Sequence, residues 1–141
     1  LESSFKEAQL LAIEYTLSSI NSAMRHYLDE FFEDPILLNL KIEMESKRPK
    51  IVTTIDYKGN EYSSINELSG GERQRCHLAA ILALYDLAGG KILLLDESLN
   101  SLDSDVNTNT LLIIKDVESM GLVIVVSHEA VEGVFDEIVK I

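Results

Sequence analysis

The apolar run ILLL at 92–95 ends in two acids, Asp96 and Glu97. A continuous apolar run reads as a parallel strand covered on both faces, and such a strand delivers the residues after it to the carboxyl edge of its sheet, where ligands bind. Two adjacent carboxylates at that edge are costly unless a positive charge joins them. A Mg²⁺ ion carrying nucleotide phosphates is the usual partner. In that chemistry Asp96 holds the metal through its water, and Glu97 faces the attacking water as general base or polarising group. The plainer alternative is a strand ending in two solvated acids.

Ser127-His128 closes a second apolar run, GLVIVV at 121–126. An imidazole at that edge could hydrogen-bond a γ-phosphate and sense its loss, and a structural histidine is the alternative. His26 and His77 have no such placement and carry no role.

The stretch NELSGGERQR at 66–75 opens a helix. Ser69 and Glu72 have the spacing of a capping box, in which each side chain satisfies the other's backbone N–H. That explains the serine and the glutamate. It does not explain Gly70 and Gly71 in the first turn, where each costs helix propensity. Glycines there let backbone N–H groups approach a ligand, and the positive helix end favours an anion. The local chemistry is therefore a helix start and a phosphate-binding surface together.

A phosphate cradle of the Gly-x-x-x-x-Gly-Lys-Ser/Thr type is missing. The only Gly-Lys pair is Gly90-Lys91; its first glycine would fall at Tyr85 and its hydroxyl at Ile92. The chain thus has a metal-acid pair and a phosphate-binding helix but no P-loop.

The elements that must position these residues can be read from periodicity. Residues 1–32 read as one helix without Gly or Pro. Leu10, Ile13, Leu17, Ile20, Met24, Tyr27 and Phe31 step by three and four, a heptad seam facing a partner helix. The second half of that seam fits equally an amphipathic helix lying on its own domain. Asp34-Pro35 stops the helix. Residues 37–45 and 51–57 alternate or are β-branched, KGN at 58–60 turns, and EYSS allows a short return strand, giving a small antiparallel sheet. From residue 71 a helix runs to Ala88, apolar on nearly all sides after His77 and hence expected between layers; Gly89-Gly90 ends it. Strands at 91–97 and 121–129, helices at 104–119 and 130–136 and a last strand at 137–141 complete an α/β layer with parallel pairing.

Composition narrows the class. The 141 residues, 46% apolar and 26% charged, suffice for one domain with a core. No stretch approaches the ~20 apolar residues of a membrane span, and no secretory signal is present. The start at Leu1 rather than Met suggests a fragment or processed piece. The single cysteine, Cys76, excludes a disulfide within the chain and fits a reducing compartment. A net charge of −12 argues against this chain carrying the main nucleic-acid surface. The one basic cluster, Lys47-Arg48-Pro49-Lys50, reads as a solvated hairpin tip.

Together LSGGE (68–72), ILLLDE (92–97), SLNSLD (98–103) and VVSHE (125–129) resemble, in order and spacing, the signature motif, Walker B, D-loop and switch histidine of ABC-type ATPases. A heptad helix and a β-hairpin ahead of the signature look like the C-terminal lobe of an SMC- or SbcC/Rad-type head. In those proteins a long coiled coil separates this lobe from an N-terminal lobe with the P-loop. The resemblance implies an end of a coiled-coil arm at 1–34 and the ATPase lobe at 35–141. Asp96 matches the metal aspartate, Glu97 the catalytic glutamate and His128 the switch histidine. Ser69, Gly70, Gly71 and Glu72 match the signature facing ATP of the opposite subunit, and Asp103 the D-loop aspartate at the dimer interface. Ser98 departs from the usual Pro or Ala. The implied cofactors are ATP and Mg²⁺. The implied partners are an N-terminal lobe, a second head, DNA, and an SbcD-like nuclease or kleisin-type subunit, without a membrane, in the cytoplasm or nucleus. Alternatives are a transporter or translation-factor ATPase fragment, a RecF- or RecN-like repair ATPase, and a non-catalytic degenerate head.

Overall fold

The computed structural model describes residues 2–46, 48–100, 102–116, 121–128 and 133–139. The heptad residues build a single long helix, α1 (Glu2–Phe31). Its two halves differ. Leu17, Met24, Tyr27 and Phe31 are buried, whereas Phe5, Leu11, Ile13 and Tyr15 are exposed. The second half therefore lies on its own domain, and the first half projects from it by about 20 Å at 1.5 Å per residue.

The expected antiparallel sheet comes next, with longer strands than the periodicity indicates. Strands β1 (Ile36–Glu45) and β2 (Arg48–Tyr57) pair along their whole length, and β3 (Asn60–Tyr62) returns on β2. Lys58 and Gly59 both adopt positive φ in the two-residue turn between β2 and β3, which suits its tight twist. Arg48 to Lys50 extend β2 rather than forming a turn; they remain exposed, and Lys47 lies outside the described residues. Asn21 of α1 bonds both backbone groups of Leu40 (2.8 and 2.9 Å), pinning the helix to the edge strand β1.

A single 3₁₀ turn (Ile65–Glu67) with its own Ser64–Glu67 capping box leads into α2 (Gly70–Leu87). Gly89 takes φ +63 just past the helix, and the Gly90 N–H returns to the Tyr85 carbonyl (2.8 Å), the closure expected of a C-terminal glycine. A Cβ at Gly90 would strike the Tyr85 ring at 2.3 Å, so bareness is required there.

Strands β4 (Ile92–Asp96) and β5 (Leu122–Val126) pair in parallel, Ile92 opposite Leu122 and Asp96 opposite Val126, with α3 (Ser104–Asp116) crossing between them. Leu93 and Leu95 are buried, but Ile92 and Leu94 are 65% and 62% exposed, and Leu122, Ile124 and Val126 share that exposure. The apolar runs predicted strands covered on both faces; in this chain only one face is covered. Likewise Ile81, Leu84 and Leu87 leave one side of α2 open instead of buried between layers. The expected last strand does not form over 137–139, and residues 129–132, 140 and 141 lie outside the described part, as do 117–120 of the helix expected to reach 119. One core joins the two units, from Met24, Tyr27 and Leu28 through Leu78, Ala79 and Leu82 to Leu93, Leu95, Leu111 and Ile114.

Candidate functional site

The carboxyl edge of the parallel sheet gathers Asp96, Glu97 and His128. Strand β4 stops at Asp96 because Glu97 turns into the left-handed region (φ 49). A non-glycine residue there is uncommon, costs about 1–3 kcal/mol, and persists where surrounding structure holds it. Here the Glu97 N–H donates to the Val126 carbonyl (2.9 Å), and the Ser98 hydroxyl donates to the Asp96 carbonyl (3.2 Å). The turn places the Glu97 carboxylate 3.1 Å from Nε2 of His128, which lies just beyond the end of β5. Both side chains are more than half exposed, so the pair stands in open solvent rather than in the core.

A second group forms at the start of α2. The Ser69 backbone N–H donates to Glu72 Oε2 (3.0 Å), the Ser69 hydroxyl donates to the same oxygen (2.6 Å), and the Glu72 N–H donates to Ser69 Oγ (3.4 Å). The hydrogen bond from Ser69 holds the Glu72 carboxyl below its ordinary value. The capping box expected from the spacing is therefore present. It leaves the Gly70 and Gly71 N–H groups, which helical geometry cannot pair internally, facing outward. A Cβ at Gly70 would meet no atom within 4 Å among the described residues, so its bareness serves no packing among them. A recess of about 290 Å³ opens here, lined by Ser69, Gly71, Glu72, Leu102, Asp103 and Val106, with Arg75 beside them. Asp103 comes to this recess because its carbonyl starts α3, accepting from the Asn107 N–H at 2.8 Å.

The structure thus separates the sequence-selected residues into two groups. Asp96, Glu97 and His128 meet at the sheet edge; Ser69, Gly71, Glu72 and Asp103 meet at the recess, whose lining includes none of the first three. Sequence reading missed Arg75. Its Nη1 donates to the Phe31 carbonyl at the end of α1 (2.6 Å), and its guanidinium lies 4.1 Å from the Phe32 ring centroid. Its place three and four residues ahead of the buried Leu78 and Ala79, on the same face of α2, was the available signal.

Among the described residues, no three His, Cys, Asp or Glu side chains converge to hold a metal on their own. A single strand-end carboxylate, Asp96, fits the habit of Mg²⁺, which takes one or two carboxylates and completes its shell with phosphate oxygens and water.

The architecture is that of a C-terminal lobe of an ABC-type ATPase head. Among solved structures, the chain is similar to the Smc head domain with a coiled coil and joint from Pyrococcus yayanosii (TM-score 0.68, 20% identity, 87% of this chain and 24% of that one). It is similar to a structure from work on ATP-driven dimerisation and DNA-stimulated activation of SMC ATPases (TM-score 0.67, 17% identity, 84% and 72%). A Pyrococcus furiosus Smc head with an extended coiled coil, bound to the C-terminal domain of ScpA, matches with TM-score 0.64 at 16% identity over 88% and 32%. In sequence the chain is 33% identical to protein 050L of Invertebrate iridescent virus 6 over 154 residues, and 33% identical to protein 094L of Invertebrate iridescent virus 3 over 141. It spans 15% and 17% of the length of those relatives. It is also 33% identical over 102 residues to the methionine import ATP-binding protein MetN 2 of Acinetobacter baylyi, covering 70% of this chain and 29% of that protein. No family model matches the chain. No helix among the described residues is long and apolar enough to cross a membrane.

Proposed function

We propose that the chain is the C-terminal half of an ATP-hydrolysing head that dimerises on ATP. The observation that carries this reading is the pairing of Glu97 with His128 beside Asp96, at the carboxyl edge of a parallel sheet. Glu97 accepts the proton of the attacking water, and His128 orients the glutamate and contacts the γ-phosphate. Asp96 would hold Mg²⁺, which supplies charge neutralisation to the phosphates when bound. Ser69, Gly70 and Gly71, capped by Glu72, offer their surface to the nucleotide of a second head, with Asp103 at the same interface. An N-terminal lobe supplies the P-loop and covers the apolar face of Ile92, Leu94, Leu122, Ile124 and Val126, the face this chain leaves open. ATP then bridges two heads, and hydrolysis releases them.

The helix-and-hairpin lead into α2 favours an SMC- or SbcC-like machine over a transporter domain, and the SMC heads match 84–88% of the chain. We infer a role on DNA in break repair, recombination or chromosome organisation, in cytoplasm or nucleus. DNA binding falls to surfaces other than this acidic chain, and the further partner is a kleisin-type subunit like ScpA or an SbcD-like nuclease. The test is Glu97→Gln in the complete head. Turnover should fall by roughly 10²–10⁴-fold, the worth of a positioned general base, while ATP-closed dimers persist in light scattering. Near-normal phosphate release by that variant would remove Glu97 from its role.

A further inference from the structure

The direction of the Glu97 carboxylate is set by its backbone. Leu93 and Leu95 point to the covered side of β4, so a strand extended to residue 97 would carry Glu97 to that side as well. The left-handed turn (φ 49) brings it to His128 instead. Packing contributes little to that direction, because more than half of each of the two side chains is exposed.

Among the described residues, three hydrogen bonds hold the turn. The Glu97 N–H donates to the Val126 carbonyl (2.9 Å), and the Glu97 carbonyl accepts from the Asn100 N–H (3.3 Å). The third comes from Ser98, whose hydroxyl reaches back over Glu97 to the Asp96 carbonyl (3.2 Å). It ties the residue after the strained position to the residue before it, and of the three it alone is supplied by a side chain. The usual Pro or Ala at this place has no hydroxyl to make it. Leu99, next in the chain, is buried in the core, so the freedom left in the turn lies at Glu97 and Ser98.

We propose that Ser98 is a positioning residue for hydrolysis: its hydroxyl holds Glu97 in the left-handed turn that aims the carboxylate at His128 and at the attacking water. Without that bond Glu97 relaxes toward extended backbone, which left-handed residues other than glycine favour, and the carboxylate swings away from the sheet edge. The inference rests on the head reading above and adds the residue that keeps its general base in place.

The experiment compares Ser98→Ala and Ser98→Thr with wild type in the complete head, by steady-state ATP turnover and by light scattering of ATP-closed dimers. Threonine keeps the hydroxyl, and its extra methyl has room in the recess of about 180 Å³ that Ser98 shares with Gln74, His77, Leu78 and Ile81. Ser98→Ala should lower kcat about 3- to 10-fold, the worth of one hydrogen bond, with KM within about two-fold and dimers intact. Ser98→Thr should keep about half or more of the wild-type kcat, because the donor is retained. In a Glu97→Gln background there is no base left to aim, so adding Ser98→Ala should change the single-turnover rate by less than about two-fold. An unchanged kcat in Ser98→Ala overturns the positioning role and leaves the head reading standing. So does a loss carried by KM or by dimerisation, a threonine variant as slow as alanine, or the full loss repeated in the Glu97→Gln background. Absence of ATP turnover in the wild-type head, or near-normal turnover by Glu97→Gln alone, overturns the head reading and the role of Ser98 with it.

Discussion

The unit formed by α1, the hairpin and α2 contrasts with the unit formed by β4, α3 and β5. In the first, Met24, Tyr27, Leu28, Ile36, Ile55 and Leu82 are almost completely buried, and side chains such as Asn21 and Arg75 tie one element to the next. In the second, every other strand residue is exposed although nearly all are apolar. An apolar strand face of this kind is not a water-facing surface. The difference teaches that the first unit encloses a core of its own, even though α2 leaves Ile81, Leu84 and Leu87 open, whereas the second leaves a whole apolar strand face uncovered. The candidate chemistry stands on the unit with the open face and at the joint between the two, where other parts can reach it.

The contrast can be broken or sharpened by mutation. The largest effect is expected at the joint. Ser69→Arg in the complete head should abolish ATP-driven dimerisation while ATP still binds the opposing P-loop lobe. Equilibrium ATP binding and light scattering separate the two, and normal dimers would end the role assigned to Ser69. Next, neighbouring residues on β4 should behave oppositely. In this chain, Leu95→Ala should cost about 2–5 kcal/mol by denaturant unfolding, the range for a buried leucine. Leu94→Ala should cost less than about 0.5 kcal/mol. Equal costs would mean that the open face is not open. In the complete head the gap should narrow, because Leu94 becomes covered.

The smallest effect concerns the capping box. The Glu72 carboxyl is held below its ordinary 4.5 by the Ser69 hydroxyl, so its contribution is fully present above that pH. It fades as pH falls through the depressed value. Glu72 is partly buried and opens onto the recess, where solvent screens it, so Glu72→Gln should cost less than about 1 kcal/mol at pH 7, and the difference from wild type should shrink in acid. A constant difference down to about pH 3, below the ordinary carboxylate range, would mean that the carboxylate does not cap.

Much of this was legible in the sequence, for reasons that differ between residues. Ser69-x-x-Glu72 and Gly89-Gly90 act through local backbone chemistry, and both ends of α2 formed as their types dictate. The parallel pairing of the two apolar runs was also readable, because α3 between them enforces a crossover. Coverage was not readable. An apolar run states that a strand wants two covered faces, not whether its own chain provides both. The heptad seam failed to divide for a similar reason: Ile13 and Leu17 look alike in sequence, but only Leu17 meets the domain. The Glu97–His128 pair joins residues far apart in the chain, and only the register of β4 and β5 brings them together. The Arg75–Phe31 bond spans 44 positions and carries no local pattern.

The central claim is that Glu97 serves the nucleotide of its own head and Ser69 that of the other. Mixing heads tests it most directly. Glu97→Gln heads and Ser69→Arg heads, each inactive alone, are combined and their ATP turnover is measured. If the two residues serve different nucleotides, each mixed dimer contains one site with both residues intact, and turnover should rise above that of either variant alone, to at most about a quarter of wild type in a two-fold symmetric assembly because Ser69→Arg also weakens closure. If the mixture stays at the level of the separate variants, both residues act on one nucleotide within one head, and the account is contradicted.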